Sequence, residues 1–286
     1  MSDTVLLTGA TGFVGRQVFQ SLAATGTAVR LVLREGRQAE YAAHPAVEGI
    51  LATTDLFAES EQWWAAACRE IDTVIHVAWY AEPGRYLQSI RNLDCLQGTL
   101  ELAKGASHAG IRRFVGIGTC FEYDLSGGRL SIETPLKPLS PYAAAKSAAF
   151  LTLSQWFAQQ SIAFAWCRLF YLYGEGEDER RLVPYLKRQF AAGEVAKLTR
   201  GTQIRDFLDV EEAGRLIVQA ALSTVQGPLN ICSGNAVTVR ELAEKIADEY
   251  GGHHLLQFGA RPDNLVDPPQ VVGIKSNVMS NHKDFA

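Results

Sequence analysis

The chain reads Thr8-Gly9-Ala10-Thr11-Gly12-Phe13-Val14-Gly15 shortly after its first residue. This stretch follows the apolar run Val5-Leu6-Leu7 and opens an amphipathic run from Phe13 to Ala24, which predicts a strand, a glycine turn and a helix. The start of a helix offers free N–H groups and the positive end of its dipole, and both attract the pyrophosphate of a dinucleotide. We therefore predict that a dinucleotide binds here, through Gly9, Thr11, Gly12, Phe13, Val14 and Gly15.

The composition narrows the class of protein. The chain has 286 residues, of which 47% are hydrophobic and 20% charged, and this size suits one large α/β unit or two closely joined domains. The formal net charge of −4 gives no bulk attraction for nucleic acid or for an anionic membrane, so we expect neither as a partner.

The cysteines and the apolar runs indicate a cellular location. The cysteines are scattered and lack the paired spacing of a zinc site or a disulfide framework, so no metal is predicted; they are Cys68, Cys95, Cys120, Cys167 and Cys232. No apolar run approaches the length of about 20 residues that crosses a membrane. The chain also enters its first strand too early to leave room for a signal peptide. We expect a cytoplasmic protein.

Short apolar runs alternate with amphipathic runs along the first 170 residues. The predicted strands are Thr4–Thr8, Ala28–Leu33, Val47–Ala52, Thr73–Ala78, Phe114–Gly118 and Ala163–Leu169. The predicted helices between them are Phe13–Ala24, Ser60–Cys68, Asn92–Ala109 and Tyr142–Gln160. This alternation predicts an α/β fold with a doubly wound, parallel Rossmann sheet.

The alternation loosens after about residue 170. Helices are predicted over Arg181–Ala192, Glu211–Ser223 and Val239–Tyr250, the last one capped by Thr238 with Glu241 three residues on. We therefore expect a dinucleotide-binding domain over residues 1–170. A smaller C-terminal substrate-binding domain is expected over residues 171–286, with a segment at about 203–223 returning to the main domain.

The residues after the second strand bear on the choice of cofactor. Enzymes that select NAD usually place an acidic residue here to bind the ribose 2′-hydroxyl, but this chain has Leu33 followed by Arg34. A guanidinium suits the 2′-phosphate of NADP(H), which we therefore favour. NAD(H) stays possible because Glu35 can also reach a ribose hydroxyl.

Later strand ends complete the predicted cofactor site. Asp55 and Leu56 follow the third strand and are expected near the adenine. Ala78, at the end of the fourth strand, lets the backbone pass close to the cofactor. His76 is expected to be a structural hydrogen-bonding residue.

Tyr142 and Lys146 are four residues apart in Tyr142-Ala143-Ala144-Ala145-Lys146. On a helix this spacing puts the phenol and the ammonium on one face. A nearby cation lowers the pKa of a phenol from its usual value of about 10, so Tyr142 can exchange a proton while a hydride moves on the cofactor. Thr119, at the end of the fifth strand, offers a hydroxyl to the same substrate oxygen.

These features together resemble the extended short-chain dehydrogenases/reductases of the NAD-dependent epimerase/dehydratase type. Two further stretches are similar to motifs of that family, Arg168-Leu169-Phe170-Tyr171-Leu172-Tyr173-Gly174 and Gln203-Ile204-Arg205-Asp206-Phe207-Leu208-Asp209-Val210. The resemblance extends over most of the chain. It implies a nucleotide-diphosphate sugar as the substrate, because family members act mostly on nucleotide-activated sugars.

The resemblance also implies the roles of individual residues. The catalytic residues are expected to be Thr119, Tyr142 and Lys146, of which Tyr142 and Lys146 also contact the cofactor. The substrate is expected to contact Thr119, Cys120, Phe121, Tyr142, Arg205 and Arg261, with the two arginines on its phosphates. Cys120 is expected to line the pocket, since no histidine lies beside it in the sequence to make it a nucleophile.

Family members pair two helices across a two-fold axis. The resemblance therefore implies a homodimer through helices 92–109 and 142–160. Their apolar outer positions are expected at Leu96, Leu100, Leu151 and Leu153.

One departure from the family narrows the reaction. In its 4,6-dehydratases the threonine is followed by an Asp-Glu pair that supplies an acid and a base, whereas Thr119 is followed by Cys120-Phe121. We therefore expect an NADP(H)-dependent oxidoreductase that reduces the keto group of a nucleotide-diphosphate 4-keto-6-deoxy sugar. A 4-epimerase with tightly bound NAD is the first alternative. The second is a non-catalytic NADPH-sensing regulatory protein, although such proteins typically lose the Tyr or the Lys.

Overall fold

The computed structural model describes residues 4–263 and 267–276. In them the helices are α1 Phe13–Ala24, α2 Glu61–Ala67, α3 Arg91–Ala109, α4 Pro141–Gln159, α5 Leu182–Ala191, α6 Val210–Ala221 and α7 Val239–Tyr250. The strands are β1 Val5–Thr8, β2 Val29–Arg34, β3 Val47–Thr53, β4 Thr73–His76, β5 Arg113–Thr119, β6 Arg129–Leu130, β7 Ala163–Leu169, β8 Tyr171–Tyr173, β9 Ala196–Lys197, β10 Ile204–Arg205, β11 Phe207–Asp209, β12 Gly227–Ile231, β13 Val237–Thr238, β14 Leu256–Gln257 and β15 Gln270–Gly273. None of these helices has the length and apolar character that crossing a membrane requires.

Seven strands form the central sheet, in the order β12-β7-β5-β4-β1-β2-β3. Every neighbouring pair in it is parallel. The chain switches direction across the sheet between β1 and β4, which is where open sheets of this kind bind their ligands. The predicted doubly wound Rossmann sheet is confirmed.

Helices cover both faces of this sheet. Val5 and Leu7 of β1 pack in one core with α1 and α6, while Leu6 packs in the other with α2, α3 and α4. Successive residues of a strand point to opposite faces, so one apolar strand serves two cores. This double burial explains why the central strands read as continuous apolar runs.

The sequence pattern does not predict β12, the outermost strand beside β7. Its first residues, Gly227 and Pro228, are typical of a turn. An edge strand tolerates proline where its nitrogen faces away from the ladder. Two residues later, on the same side of the strand, the N–H of Asn230 donates to Ser276 Oγ at 3.2 Å. The predicted central strands and helices agree with the observed ones to within two residues at each end.

The residues after β7 build a smaller lobe that faces the C-terminal ends of the sheet strands. Helices α5 and α7 share an apolar core in it, which includes Leu186 and Ile246. β10 pairs with β13 and β15, and β15 pairs with β6. By contrast, α6 packs on α1 and β12 joins the main sheet. The division into residues 1–170 and 171–286 stays a prediction.

The outer faces of α3 and α4 differ from the sequence-based expectation. Leu153 is buried, and Leu96 and Leu100 pack against the same core. Their side chains are needed to fill the space between the helices and the sheet. Of the four predicted outer positions only Leu151 is exposed, at 54%. Leu93 at 57% and Trp156 at 39% are exposed apolar side chains that the sequence analysis did not select.

A buried ion pair joins the end of β5 to β7. Glu122 accepts a hydrogen bond from Arg168 Nε at 2.8 Å, and the side chains are 0% and 1% exposed. The same carboxylate accepts from the backbone N–H of Thr119 at 2.7 Å and from Trp166 Nε1 at 3.0 Å. Glu122 therefore holds the chain at Thr119 in place.

The network continues from Arg168 to the edge of the sheet. Arg168 donates to the Tyr123 hydroxyl at 3.0 Å, and that hydroxyl donates to Asn230 Oδ1 on β12 at 2.7 Å. The amide of Asn230 donates in turn to the carbonyl of Leu130 at 2.9 Å. Strands β5, β7 and β12 are thus tied by polar side chains as well as by their backbone ladder.

Replacing Arg168 by methionine should lower the free energy of unfolding by about 3–5 kcal/mol, because the Glu122 carboxylate would stay buried without its counter-charge. Urea unfolding followed by circular dichroism measures the loss. The double variant Glu122→Gln/Arg168→Met removes both charges and keeps an acceptor for the Thr119 N–H, so it should recover most of the stability. A double variant less stable than Arg168→Met alone would contradict this account.

Candidate active site

A cleft of about 1240 Å³ lies between the sheet and the smaller lobe. It exceeds the volume of about 300–1,000 Å³ that is typical of a site for one small ligand. All the predicted site residues line it except Arg261, namely Gly9, Thr11, Gly12, Phe13, Val14, Gly15, Arg34, Asp55, Leu56, Ala78, Thr119, Cys120, Phe121, Tyr142, Lys146 and Arg205. The topology thus brings distant parts of the sequence to one surface.

The glycine turn has the shape that a pyrophosphate needs. Gly9 has φ +77°, and a Cβ there would lie 2.7 Å from the backbone nitrogen of Ala78. Gly12 is the N-cap of α1 and makes no side-chain cap. A Cβ on Gly12 would meet only the Gly9 carbonyl, at 3.4 Å, so the position faces open space. The residues present therefore fit a dinucleotide at the start of α1.

His76 fixes the neighbouring end of β4. Its Nδ1 lies 2.8 Å from Thr8 Oγ1 and its Nε2 lies 3.0 Å from Thr99 Oγ1. Because Thr99 donates to the Cys95 carbonyl, we assign the ring proton to Nε2. Thr8 Oγ1 also accepts from the N–H of Ala78 at 3.3 Å, which sets the backbone next to the glycine turn. These contacts make His76 a structural residue.

The ends of β2 and β3 form the part of the cleft assigned to the adenosine. Arg34 is exposed and is the last residue of β2. Arg37 also lines the cleft, but its guanidinium pairs with Glu40. Asp55 accepts from the N–H of Phe57 at 3.0 Å and from Arg91 at 2.9 Å. Of Arg34, Arg37 and Arg91, Arg34 is therefore the one without a carboxylate partner among the described residues.

The three expected catalytic residues lie together in the cleft. Thr119 ends β5, and Tyr142 and Lys146 lie one turn apart on α4, which begins after the N-cap Ser140. Lys146 Nζ donates to the carbonyl of Ile117 at 2.6 Å. The side chain of Thr119 is close enough to Tyr142 to affect the pKa of its phenol. The arrangement brings two hydroxyls and an amine to one part of the cleft.

Burial sets the protonation of this group. It raises the pKa of Tyr142, and the side chain of Thr119 offsets this only in part. It lowers the pKa of Lys146 to about 7. The expected lowering of the phenol pKa by Lys146 is not found, because the amine is directed to the Ile117 carbonyl. Tyr142 is consequently protonated at neutral pH and is set up to donate a proton.

Two aromatic side chains that sequence reasoning missed close this end of the cleft. Trp79 lines the cleft, and Lys146 Nζ lies 3.8 Å from the centroid of its ring. The ring of Tyr86 stands edge-on to that of Tyr142, with 4.8 Å between centroids. The only sequence signal for Trp79 was its position directly after Ala78.

Arg205 is the predicted substrate residue that the structure supports best. It is 4% exposed, lines the cleft, and lies 5.2 Å from the centroid of the Tyr171 ring. It donates to the carbonyl of Ile204 at 2.9 Å, and Asp267 is 3.9 Å away. Because Asp267 is 52% exposed, this ion pair is weak, and the guanidinium keeps donors for a diphosphate.

The structure places the predicted substrate residue Arg261 away from the cleft. It is exposed, does not line the cleft, and stacks its guanidinium 4.9 Å from the centroid of the Tyr185 ring on α5. Arg181, the N-cap of α5, lines the cleft instead. Its charge partly offsets the burial that raises the pKa of the Tyr86 phenol. The sequence does not single out Arg181, which stands at the predicted start of a helix.

Two further side chains in the cleft differ in reactivity. Burial raises the pKa of the Cys120 thiol to about 12, so this residue lines the pocket and does not act as a nucleophile. Glu177 has one buried carboxylate oxygen without a hydrogen-bond partner in the described part of the chain. Burial raises its pKa to about 7, so it can exchange a proton near neutral pH.

This combination of fold and cleft defines a dinucleotide-dependent enzyme of the extended short-chain dehydrogenase/reductase class. The chain belongs to the NAD dependent epimerase/dehydratase family, whose model matches residues 5–232. The family resemblance inferred from the sequence is thereby confirmed.

Three comparisons refine this assignment. The chain is 25% identical over 281 residues to dTDP-6-deoxy-L-talose 4-dehydrogenase (NAD(+)) of Aggregatibacter actinomycetemcomitans, covering 95% of this chain and 99% of that protein. It is 28% identical over 260 residues to dTDP-6-deoxy-L-talose 4-dehydrogenase (NAD(P)(+)) of Kitasatospora kifunensis, covering 86% and 79%. The solved structure of MoeE5 in complex with UDP-glucose and NAD is 27% identical with a TM-score of 0.79, covering 97% and 91%. This chain is thus similar over nearly its whole length to enzymes that act on nucleotide sugars.

His76 ties stability to pH. Burial, with a smaller effect of Lys146, lowers the pKa of His76 from 6.5 to about 3, so between these values the unfolded chain binds a proton that the folded chain does not. The free energy of unfolding should therefore fall as the pH drops below 6.5, by up to about 1.4 kcal/mol per pH unit from this group.

Urea unfolding of the wild type and of His76→Gln at pH 6.5 and pH 5.0 measures this slope. The wild type should lose about 2 kcal/mol more than the variant over this interval, since the carboxylates titrate in both proteins. Equal slopes in the wild type and His76→Gln would show that His76 is charged in the folded protein.

Proposed function

We propose that this protein is an NADP(H)-dependent oxidoreductase that reduces the C4 keto group of a nucleotide-diphosphate 4-keto-6-deoxy sugar. The observation that carries the proposal is the convergence of Thr119, protonated Tyr142 and Lys146 in a cleft where Thr119 is followed by no acid or base. A bound nicotinamide supplies the hydride for such a reduction. The protein then has to orient the carbonyl and deliver one proton.

The residues divide that task. The Thr119 hydroxyl, which lines the cleft together with Tyr142, orients the carbonyl oxygen. Tyr142 donates its proton to that oxygen as negative charge develops on it. Lys146 binds a ribose hydroxyl with the N–H groups that the Ile117 carbonyl leaves free.

The surroundings of Thr119 argue against a dehydratase. Elimination across C5 and C6 needs a base for the C5 proton and an acid for the departing hydroxyl. Cys120 keeps its proton, Phe121 has none to give, and Glu122 is held by Arg168 away from solvent. Carbonyl reduction needs neither this acid nor this base, so the absence of both beside Thr119 favours reduction over elimination.

The substrate assignment rests on Arg205 and on the relatives. A planar guanidinium meets a diphosphate with two parallel hydrogen bonds, and Arg181 offers a second cation in the same cleft. Two relatives are named for oxidation at C4 of a dTDP-6-deoxy sugar, which is the reverse of the proposed reduction. We therefore favour a dTDP-linked 6-deoxy sugar.

We also propose a homodimer formed through α3 and α4. The outer faces of these helices carry the exposed apolar side chains Leu93, Leu151 and Trp156, and an isologous contact would cover all three on both copies.

The reaction can be tested directly with dTDP-4-keto-6-deoxyglucose and NADPH or NADH deuterated at C4 of the nicotinamide. Reduction should consume the cofactor and place deuterium at C4 of the sugar. The variant Tyr142→Phe should lower the single-turnover rate of hydride transfer by about 100-fold while cofactor affinity barely changes, because only the proton donor is lost. The exposed tyrosine variant Tyr250→Phe is the matched control and should react at the wild-type rate.

Three outcomes would overturn the proposal. Wild-type hydride transfer by Tyr142→Phe would remove Tyr142 as the acid. Exchange between C4 epimers without net consumption of the cofactor would identify an epimerase with retained NAD. Deuterium at C5 of the product in heavy water would reveal an acid–base pair, for which Glu177 would be the first candidate.

Cofactor choice has its own test. Arg34 is proposed to bind the 2′-phosphate, so Arg34→Ala should weaken NADPH binding by about 10- to 100-fold and leave NADH binding nearly unchanged. Fluorescence titration of both cofactors against both proteins measures this, with Arg129→Ala, an exposed arginine outside the cleft, as the control. A wild-type preference for NADH, or equal losses for both cofactors, would assign the protein to NAD(H).

A further inference from the structure

We propose that Trp79 is a positioning residue for Lys146, holding the ammonium between the face of its indole and the carbonyl of Ile117. Lys146 Nζ lies 3.8 Å from the centroid of the Trp79 ring and 2.6 Å from the Ile117 carbonyl oxygen. Lys146 is 3% exposed, so the contact is shielded from water. A cation–π attraction is strongest in such a desolvated place.

Trp79 is itself fixed by a buried amide. Its indole N–H donates to Asn92 Oδ1 at 2.9 Å, and Asn92 is fully buried near the start of α3. The Asn92 amide donates in turn to the carbonyls of Tyr86 and Ser89, at 2.7 Å and 2.9 Å. The indole can therefore neither rotate nor withdraw without breaking these bonds. The same amide holds the loop whose Tyr86 ring stands against Tyr142.

The charge balance around Lys146 gives this contact its consequence. Burial lowers the pKa of the amine to about 7, while Glu122 after β5 and Cys95 on α3 oppose the shift. His76 on β4 stays neutral, and Tyr142 on α4 keeps its proton. Near neutral pH both the charged and the neutral form of the amine are populated, so the attraction of an aromatic face changes the ratio of the two forms. Trp79 favours the ammonium, which has one more N–H donor for a cofactor hydroxyl than the neutral amine.

The charge state of Lys146 can be measured without any substrate. Lysines enriched with ¹³C at Cε give NMR shifts that titrate with the amine, and the variant Lys146→Met identifies the resonance that titrates near pH 7. In Trp79→Leu the pKa of Lys146 should fall by about 0.5–1.5 units, since the attraction of the ring is lost. Trp79→Phe keeps a ring with a weaker negative face and should give a smaller fall.

The controls are Trp63→Leu and Trp63→Phe. Trp63 is a half-buried tryptophan of α2 that packs on the core and does not line the cleft. These variants lose similar packing and should leave the titration of Lys146 unchanged. Circular dichroism and thermal unfolding establish that each variant is folded, and Trp79→Phe keeps the proposal testable if Trp79→Leu is not.

The outcomes separate this inference from the proposed function. An upward shift of the Lys146 pKa in Trp79→Leu would show that the indole acts only by excluding water, and an unchanged pKa would show that it has no influence; either result would overturn the proposal.

A kinetic measurement of sugar reduction rests on the proposed function. In Trp79→Leu kcat should fall about 10-fold with little change in KM for the sugar, and the pH profile of kcat should move with the NMR titration. A shifted titration in a protein that reduces no 4-keto sugar would uphold the role of Trp79 and reject only the substrate.

Discussion

The buried pair of Glu122 and Arg168 is the constraint on which the active end of the sheet depends. Two charges are withdrawn from water there, and each needs the other to remain so. The carboxylate also holds the backbone N–H of Thr119, and the guanidinium continues through Tyr123 to β12. The position of a hydroxyl in the cleft is therefore set by charges that never contact a ligand. This arrangement also explains why a carboxylate three residues after Thr119 is unavailable as an acid.

Desolvation governs the chemistry of the cleft more than pairwise charge does. It keeps Tyr142 and Cys120 protonated, keeps His76 neutral, and brings Lys146 and Glu177 to the edge of titration near neutral pH. A low-dielectric site strengthens every remaining interaction, so single contacts such as the one between Lys146 and the Ile117 carbonyl become decisive. The cleft thereby presents Tyr142 as a proton donor and Lys146 as a cation whose charge depends on its surroundings.

The sequence predicts most of the fold because burial on both faces leaves a direct record in the central strands, and because the glycine turn and the cap of α7 are local. It misses β12, since an edge strand that begins with Gly227 and Pro228 reads as a turn. Within the site, Tyr142 and Lys146 follow from their spacing and Thr119 from its place at the end of a strand, whereas Arg205 follows from the family resemblance. Trp79, Arg181 and Glu177 follow from neither, because their roles depend on which loops fold over the cleft. The place of Arg261 away from the cleft is not predictable for the same reason, since its stacking on Tyr185 is a tertiary contact.

The edge strand β12 has a consequence for how molecules of this protein meet at high concentration. An open sheet edge invites a strand from another chain, and proteins avoid such growth by withholding the donors that a new strand needs. Pro228 has no N–H to offer, and the N–H of Asn230 on the same side is already bonded to Ser276. This edge accordingly offers few N–H donors to a new strand, which hinders β-sheet extension from β12.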